Sequence, residues 1–395
     1  MKQQNILSQV KNLTFREILY NNEVRAFFFQ VATFLLIAGL FYTIIGNLFD
    51  NIEARGIHTG FSFLKNRAGF DILPFLGNYI QDYTPESSNL TVFYVGLINT
   101  LIVALVGIIV TTFLGLFIGI ARLSNNYLVA KLAGGYIELF RNIPVLLQIF
   151  FWYNIFINIF PHPKKSFSFF DMAFLNQRGL YLPKPILEDG FLLVIIAFVV
   201  GIILTVFMKR YFNKKHDETG VYTRTLGYST LLILGLPAIF FLLLGSPLHF
   251  DFAVLGKFNL KGGMQIVPEF IALTFALSVY TATYIAEAIR SGIEAVDKGQ
   301  KEAAAAIGLT QTQSLKLIVL PQALRVAIPP TINQYLNLTK NSSLATAIGY
   351  PELMGAFGGT VLNQVGQAVE ILGMAMLVYL FISLCISLLL NFVNK

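Results

Sequence analysis

The sequence predicts an all-α polytopic membrane protein of about eight transmembrane helices, and three observations lead there. Of 395 residues, 55% are hydrophobic and only 12% are charged, well below the roughly 25% charged usage of soluble domains. The stretch 26–49 carries no charge, and about twenty apolar residues suffice to cross a hydrocarbon core some 30 Å thick. Further uncharged runs follow at 88–121, 142–163, 190–208, 225–248, 270–286, 326–339 and 371–393, each a helix candidate by its apolar continuity.

Several function classes fall away on composition. The net charge of +7 is spread over short loops between apolar runs, without the basic helix or aromatic platform that holds a nucleic acid; positive-inside orientation accounts for it better. The single cysteine, Cys385, lies in an apolar run, so neither a disulfide framework nor a cysteine-rich metal site is expected. The histidines His58, His162, His216 and His249 stand far apart in connections, a poor arrangement for one metal site. Residues 1–25 lack the apolar segment of a cleavable signal peptide, so the first helix is expected to stay as an anchor.

Taking the helices in order, Pro144 falls in the expected first turn of the third, where a missing N–H costs little, and Pro237 falls mid-span in the fifth, where a kink is expected. Lys2, Lys11, Arg16 and Arg25 precede the first helix, and Lys209, Arg210, Lys214, Lys215 and Arg224 join the fourth to the fifth. Both groups belong in the cytoplasm by the lysine and arginine rule, which places both termini there with eight crossings. The connections 50–87, 164–189, 249–269 and 340–370 are then exported, although Arg55, Lys65, Arg67, Lys164, Lys165, Arg178 and Lys184 lie in them.

The seventh run is short, contains Pro329-Pro330 and carries Asn333, Gln334 and Asn337. Two readings stand side by side. Polar or irregular backbone at membrane depth survives within protein or beside a watery path. Otherwise the helix starts before Pro329 and is polar because it packs on its neighbours. Asn333, Asn337, Lys340, Asn341 and Ser342 form the densest polar group near a membrane segment and are the candidate substrate-pathway residues, Lys340 being suited to a carboxylate. Glu138 with Arg141, and Glu287 with Arg290, are three apart and read as helix-surface pairs. Gly115 and Gly119 read as a close helix contact.

Between the sixth and seventh helices, over 290–325, the local signals give two short helices around a glycine. Ala303–Ala306 favours helix and Gly308 ends it. Thr310 with Gln313 makes a capping box for the second helix, and Pro321 is expected to limit its length. A compact knuckle of this kind suits a partner's cleft; an ordinary surface loop is the plainer alternative.

Glu302-Ala303-Ala304, Gly308, Ile318, Leu320 and Pro321 resemble, in identity and spacing, the EAA signature of ABC-importer permeases. Thr283-Tyr284-Ile285-Ala286-Glu287-Ala288-Ile289-Arg290-Ser291-Gly292-Ile293 before it and Lys340-Asn341-Ser342-Ser343-Leu344 after it resemble the polar amino-acid branch. Gly96-Leu97-Ile98-Asn99-Thr100-Leu101 and Glu138-Leu139-Phe140-Arg141-Asn142-Ile143-Pro144 upstream are similar to the same branch. Ser291 departs from a usual glycine and Asp297 from a common proline.

The resemblance implies a five-helix type I permease core, with an extra N-terminal helix and an inserted helix pair at about 164–265, as in the long general L-amino-acid permease subunit. The implied division is a tail over 1–25, a first helix over 26–49, a periplasmic segment over 50–87 and a permease domain over 88–395. It further implies import of L-amino acids, among them glutamate, glutamine, aspartate and asparagine, across a bacterial inner membrane. The partners implied are two ATP-binding cassette subunits, a second related permease (a different or an identical chain) and a periplasmic amino-acid-binding protein. Glu302, Ala303, Ala304 and Gly308, with Leu320 and Pro321 at the exit, would couple to the ATPase; Glu302 serves either as a local helix partner or as a charged contact. No G-x-x-x-x-G-K-[ST] occurs, Gly256-Lys257 being followed by Phe258. The chain is therefore expected to hold no cofactor and no catalytic or metal residues of its own, with ATP and Mg bound by the partner ATPase. The rival is an ion-gradient-driven secondary transporter, which would need acidic ion carriers within the apolar runs.

Overall fold

The computed structural model describes residues 22–54, 56, 59–73, 75–220, 225–256 and 259–393. The tail lysines and arginine before 22, Arg55, His58, Arg224, Gly256's neighbours Lys257 and Phe258, and Lys395 lie outside them. Among the described residues seven helices are long and apolar enough to cross a membrane, and a sharply bent pair makes an eighth. The chain is a multi-pass membrane protein.

The first helix, α1 (Asn22–Ala54), buries none of its apolar window; its phenylalanines and leucines face outward, as lipid permits. A short α2 (Leu76–Ile80) precedes α3 (Asn89–Arg122), which opens on Ser88, its side chain accepting from the Thr91 N–H. Next come α4 (Tyr127–Asn142) and α5 (Val145–Ile159), meeting at 103°. The sequence places one helix from 142 with Pro144 inside its first turn. Instead Pro144 is the cap of α5 and Ile143 is extended, because proline excludes the α conformation from the residue before it. That steric rule makes the corner.

The next pair comprises α6 (Phe191–Thr219) and a second span built from α7 (Leu226–Thr230), a π-helical turn over Leu231–Gly235 and α8 (Leu236–Leu243). Pro237 sits at the start of α8 directly after the π turn, whose wider winding relieves the ring and the missing donor. The main core forms around α9 (Pro268–Glu294), of whose apolar window 72% is buried. Gly115 and Gly119 of α3 make the approach to it possible: a Cβ at 115 would stand 2.7 Å from Ile285, and one at 119 would stand 3.0 Å from the Ala286 carbonyl. The expected close helix contact is therefore the one between α3 and α9.

Past α9 come α10 (Lys298–Ala306), α11 (Gln311–Ser314), a π turn over Leu315–Val319 and α12 (Leu320–Asn341). The helix thus begins before Pro329 and runs through Pro329 and Pro330, as the second reading has it, but Asn333 and Asn337 are exposed rather than packed on neighbours. Nor does Pro321 stop α11. It occupies the first turn of α12, where its absent N–H follows the π turn and breaks no regular bond. A 3₁₀ segment Ser342–Ile348, a π-helical segment Leu353–Val361, α13 (Leu362–Val365) and α14 (Ala368–Val393) complete the chain.

Two connections that read as plain loops contain short strands. A four-stranded antiparallel sheet runs β1 (Phe167–Phe169), β2 (Ala173–Asn176), β3 (Gly179–Leu182) and β8 (Met264–Ile266) in that order. β4 (Lys184–Leu187) pairs with β5 (Leu248–Asp251), and β6 (Val254–Leu255) with β7 (Leu260–Lys261). The sheet sits where α5 ends and α6 and α9 begin; the α10–α11 knuckle lies at the other end of α9.

Candidate functional site

The knuckle is built by local chemistry. Asp297 opens α10, its carboxylate accepting from the Gly299 N–H at 2.6 Å, which gives the departure from proline a structural use. At the other end Gly308 adopts φ +82°. The Gly308 N–H donates to the Ala305 carbonyl at 3.0 Å and the Leu309 N–H to that of Ala304 at 3.1 Å, the paired bonds of a Schellman motif. Thr310 then caps α11: its hydroxyl accepts from the Gln313 N–H at 3.3 Å while the Gln313 side chain accepts from the Thr310 N–H at 2.9 Å.

Glu302 and Ala303 are exposed and Ala304 is buried. The predicted residues do not share one side, because Ala304 faces inward and fixes α10 in place. Ile307 is 74% exposed, and beyond the chain neighbours of Gly308 no described residue lies within 4 Å of a Cβ built there. Leu320 and Pro321 are exposed at the start of α12. Val296, Val319 and Ala323 pack beneath. A Cβ at Gly292 would approach the Ala323 carbonyl to 2.7 Å, so the close of α9 packs directly on the opening of α12.

A second polar feature lies between α9 and α12. A cavity of about 310 Å³ is lined by Tyr280, Thr281, Tyr284, Gln334, Asn337 and Asn341. The Tyr280 and Tyr284 hydroxyls lie 2.8 Å apart, and the Arg141 guanidinium stands 4.9 Å from the centre of the Tyr284 ring. Of the candidate pathway residues, Asn337 and Asn341 both line this cavity. Asn333 and Lys340 are exposed on α12, and Ser342 is buried with its hydroxyl donating to the Thr339 carbonyl at 2.7 Å. Arg290 pairs with Glu287 and Glu294 on α9.

The upstream motif meets the chain near its end. Asn99 donates to the Pro351 carbonyl at 2.9 Å, and the Leu353 N–H donates to the Thr100 hydroxyl at 3.1 Å. Between them Glu352, fully buried, accepts from the Met354 and Gly355 N–H groups, Thr346 and Tyr379. Burial pushes its carboxyl above the ordinary carboxylate range.

The model of the binding-protein-dependent transport system inner membrane component matches residues 220–395. The chain is 50% identical to YhdX of Escherichia coli over 95% of its length and 94% of that protein, whose name assigns it provisionally to the amino-acid ABC transporter permeases. It is 45% identical to the general L-amino acid transport system permease protein AapQ of Rhizobium johnstonii, over 96% of this chain and 94% of that one. This chain belongs to the amino-acid ABC transporter permeases. The glutamate/glutamine/aspartate/asparagine transport system permease protein BztB of Rhodobacter capsulatus is 39% identical over 96% of this permease and 95% of its own length.

The permease holds polar residues that its sequence did not single out. Tyr280 and Thr281 sit in a run that reads as apolar, and their hydroxyls are the signal that was there to find. Glu352 and Tyr379 lie 27 residues apart and meet only in the fold.

Proposed function

We propose that this permease forms the membrane path of an ATP-driven importer of L-amino acids, with glutamate, glutamine, aspartate and asparagine in its range. One observation carries the reading. Arg325, Asn333, Asn337 and Lys340 are all exposed on α12, spaced so that they fall on one side of the helix. Hydrocarbon does not accommodate such a stripe, whereas a watery path shared with a second permease subunit does. The cavity with Asn337 and Asn341 opens from the same helix and offers the neutral donors and acceptors an amino-acid zwitterion requires.

In this reading two ATPase subunits, which bind the ATP and Mg, grip Glu302, Ala303 and Gly308 and the exit at Leu320 and Pro321. Ala304 holds the knuckle from within. A periplasmic amino-acid-binding protein delivers the substrate to the opposite membrane face. Both termini lie in the cytoplasm of a bacterium, and the permease pairs with a related but different chain. Closure of the ATPase pair would shift α10, and the close packing at Gly292 would carry that shift into α9 and α12, a hinge-type switch. The ion-gradient rival finds no support among relatives that are ABC permeases. Glu269 is a buried carboxylate within a crossing helix. It occupies the first turn of α9 and accepts from the Tyr153 hydroxyl at 2.9 Å, a position the helix dipole stabilises.

The test is to purify the chain with its neighbouring gene products, reconstitute it in liposomes and measure amino-acid uptake. Uptake that depends on ATP and on the soluble binding protein is expected. Uptake by the purified chain alone under an ion gradient would overturn the proposal.

A further inference from the structure

The sheet at the outer end of α5 has one wholly apolar face. In antiparallel pairing, directly opposed residues share a face. Phe167 opposes Leu175, which opposes Leu180, which opposes Ile266; Phe169 opposes Ala173. The other face carries Ser168, Phe174 and Tyr181 and packs on Ala253 and Leu260. At its inner strand the apolar face rests on the helix bundle, because Ile266 packs against the main core. Toward the outer strand that cover runs out: Phe167 is 55% exposed and Phe169 51%.

The β1–β2 turn continues the pattern. Phe170 is 95% exposed and Met172 55%, and Phe170 and Asp171 both have positive φ, +53° and +54°. A hairpin turn of that shape favours asparagine and glycine, and a phenylalanine at its first position is neither the easy backbone choice nor a buried one. Asp171 is held locally, accepting from the Ser168 hydroxyl at 2.8 Å, which leaves the ring at the tip.

We propose that this edge dips into the phospholipid interface beside the bundle. Two observations choose lipid as the occupant. The apolar face follows closely in the chain on a crossing helix, since α5 ends at Ile159, itself 72% exposed, and β1 begins at Phe167. The link between them carries Lys164 and Lys165, both exposed, whose charge complements phospholipid phosphates. Aromatic rings with flanking lysines are the arrangement of an interfacial anchor. The anchor holds the inserted module against the membrane, level with the start of α9.

The chain has one tryptophan, Trp152, so a reporter is simple to build. Full-length Trp152→Phe/Phe170→Trp protein is placed in nanodiscs of phosphatidylethanolamine and phosphatidylglycerol, with or without brominated acyl chains. The indole at 170 is expected to lose most of its emission to the bromines, to resist iodide and to emit further to the blue than in denaturant. Phe169→Trp in the same background repeats the test should the first variant fold poorly. Strong iodide quenching without bromine quenching would overturn the proposal in favour of a solvated turn. Protection from both quenchers would overturn it in favour of a protein partner. Neither result depends on transport, so failure here leaves the importer reading standing.

Discussion

Replacement of Gly308 separates the shape of the knuckle from what docks on it. At φ +82° an L-residue meets its own backbone, at a cost of about 1–2 kcal/mol. Space is no obstacle, because beyond the chain neighbours of Gly308 no described residue lies within 4 Å of the new Cβ. Gly308→Ala should therefore loosen the Schellman turn, reducing its formed population relative to opened forms by roughly 5–30-fold. It should leave the membrane core, which lies around α9, unaffected. Gly308→Asn, whose side chain tolerates this conformation, should recover most of the loss. Gly308→Trp adds bulk into open space, so any loss beyond that of the alanine variant must come from a partner. The assay is recovery of the ATPase subunits with affinity-purified permease, read beside uptake and the unfolding temperature in detergent. Normal recovery and uptake in both the alanine and tryptophan variants would refute the coupling role. A fall in unfolding temperature equal to that of a core variant would refute the claim that the effect is local.

Gly115→Ala places a methyl 2.7 Å from Ile285 and should cost about 1–3 kcal/mol through overpacking, seen as a lower unfolding temperature. Gly39→Ala on α1, with no described residue beyond its own helical turn within 4 Å, should change stability by no more than about 0.5 kcal/mol. Asn337→Leu should lower amino-acid uptake by about five-fold, the worth of one hydrogen bond near 1 kcal/mol, with ATPase recovery unchanged; unchanged uptake would remove Asn337 from the path. Glu352→Ala strips an acceptor from four donors and should destabilise more than Glu352→Gln, which keeps one oxygen. Because burial raises the Glu352 pKa above its ordinary 4.5, its protonation stabilises the folded form. That contribution is complete below pH 4.5 and is lost as pH rises toward the raised value. The wild-type unfolding temperature should accordingly fall more steeply over that range than that of Glu352→Gln.

Local features were legible in the sequence because their causes are local. Thr310 and Gln313 are three residues apart and cap one turn, and Gly308 ends α10 by its own backbone freedom. The crossing helices were legible as apolar runs, though their ends were not: Lys209 and Arg210 are charged yet continue α6 as far as Thr219. Prolines misled in opposite senses. Pro144 marks a corner that looked like a helix start, and Pro321, Pro329 and Pro330 lie in a helix that looked interrupted, because a preceding π turn accommodates the first of them. The strands of the inserted module span two to four residues each, too short for alternation to register. The polar cavity was half legible. Asn337 and Asn341 stand out in a membrane helix, whereas Tyr280 and Thr281 vanish into an apolar run until α9 packs beside α12.

The pair formed by α6 and its neighbouring span closes on itself. Gly201 of α6 lies against the Leu232 carbonyl of its partner span, and strand β8, leading straight into Pro268, ties the module to α9. The pair thus meets the core chiefly through a strand at the start of α9, so the α3–α9 contact is built without it.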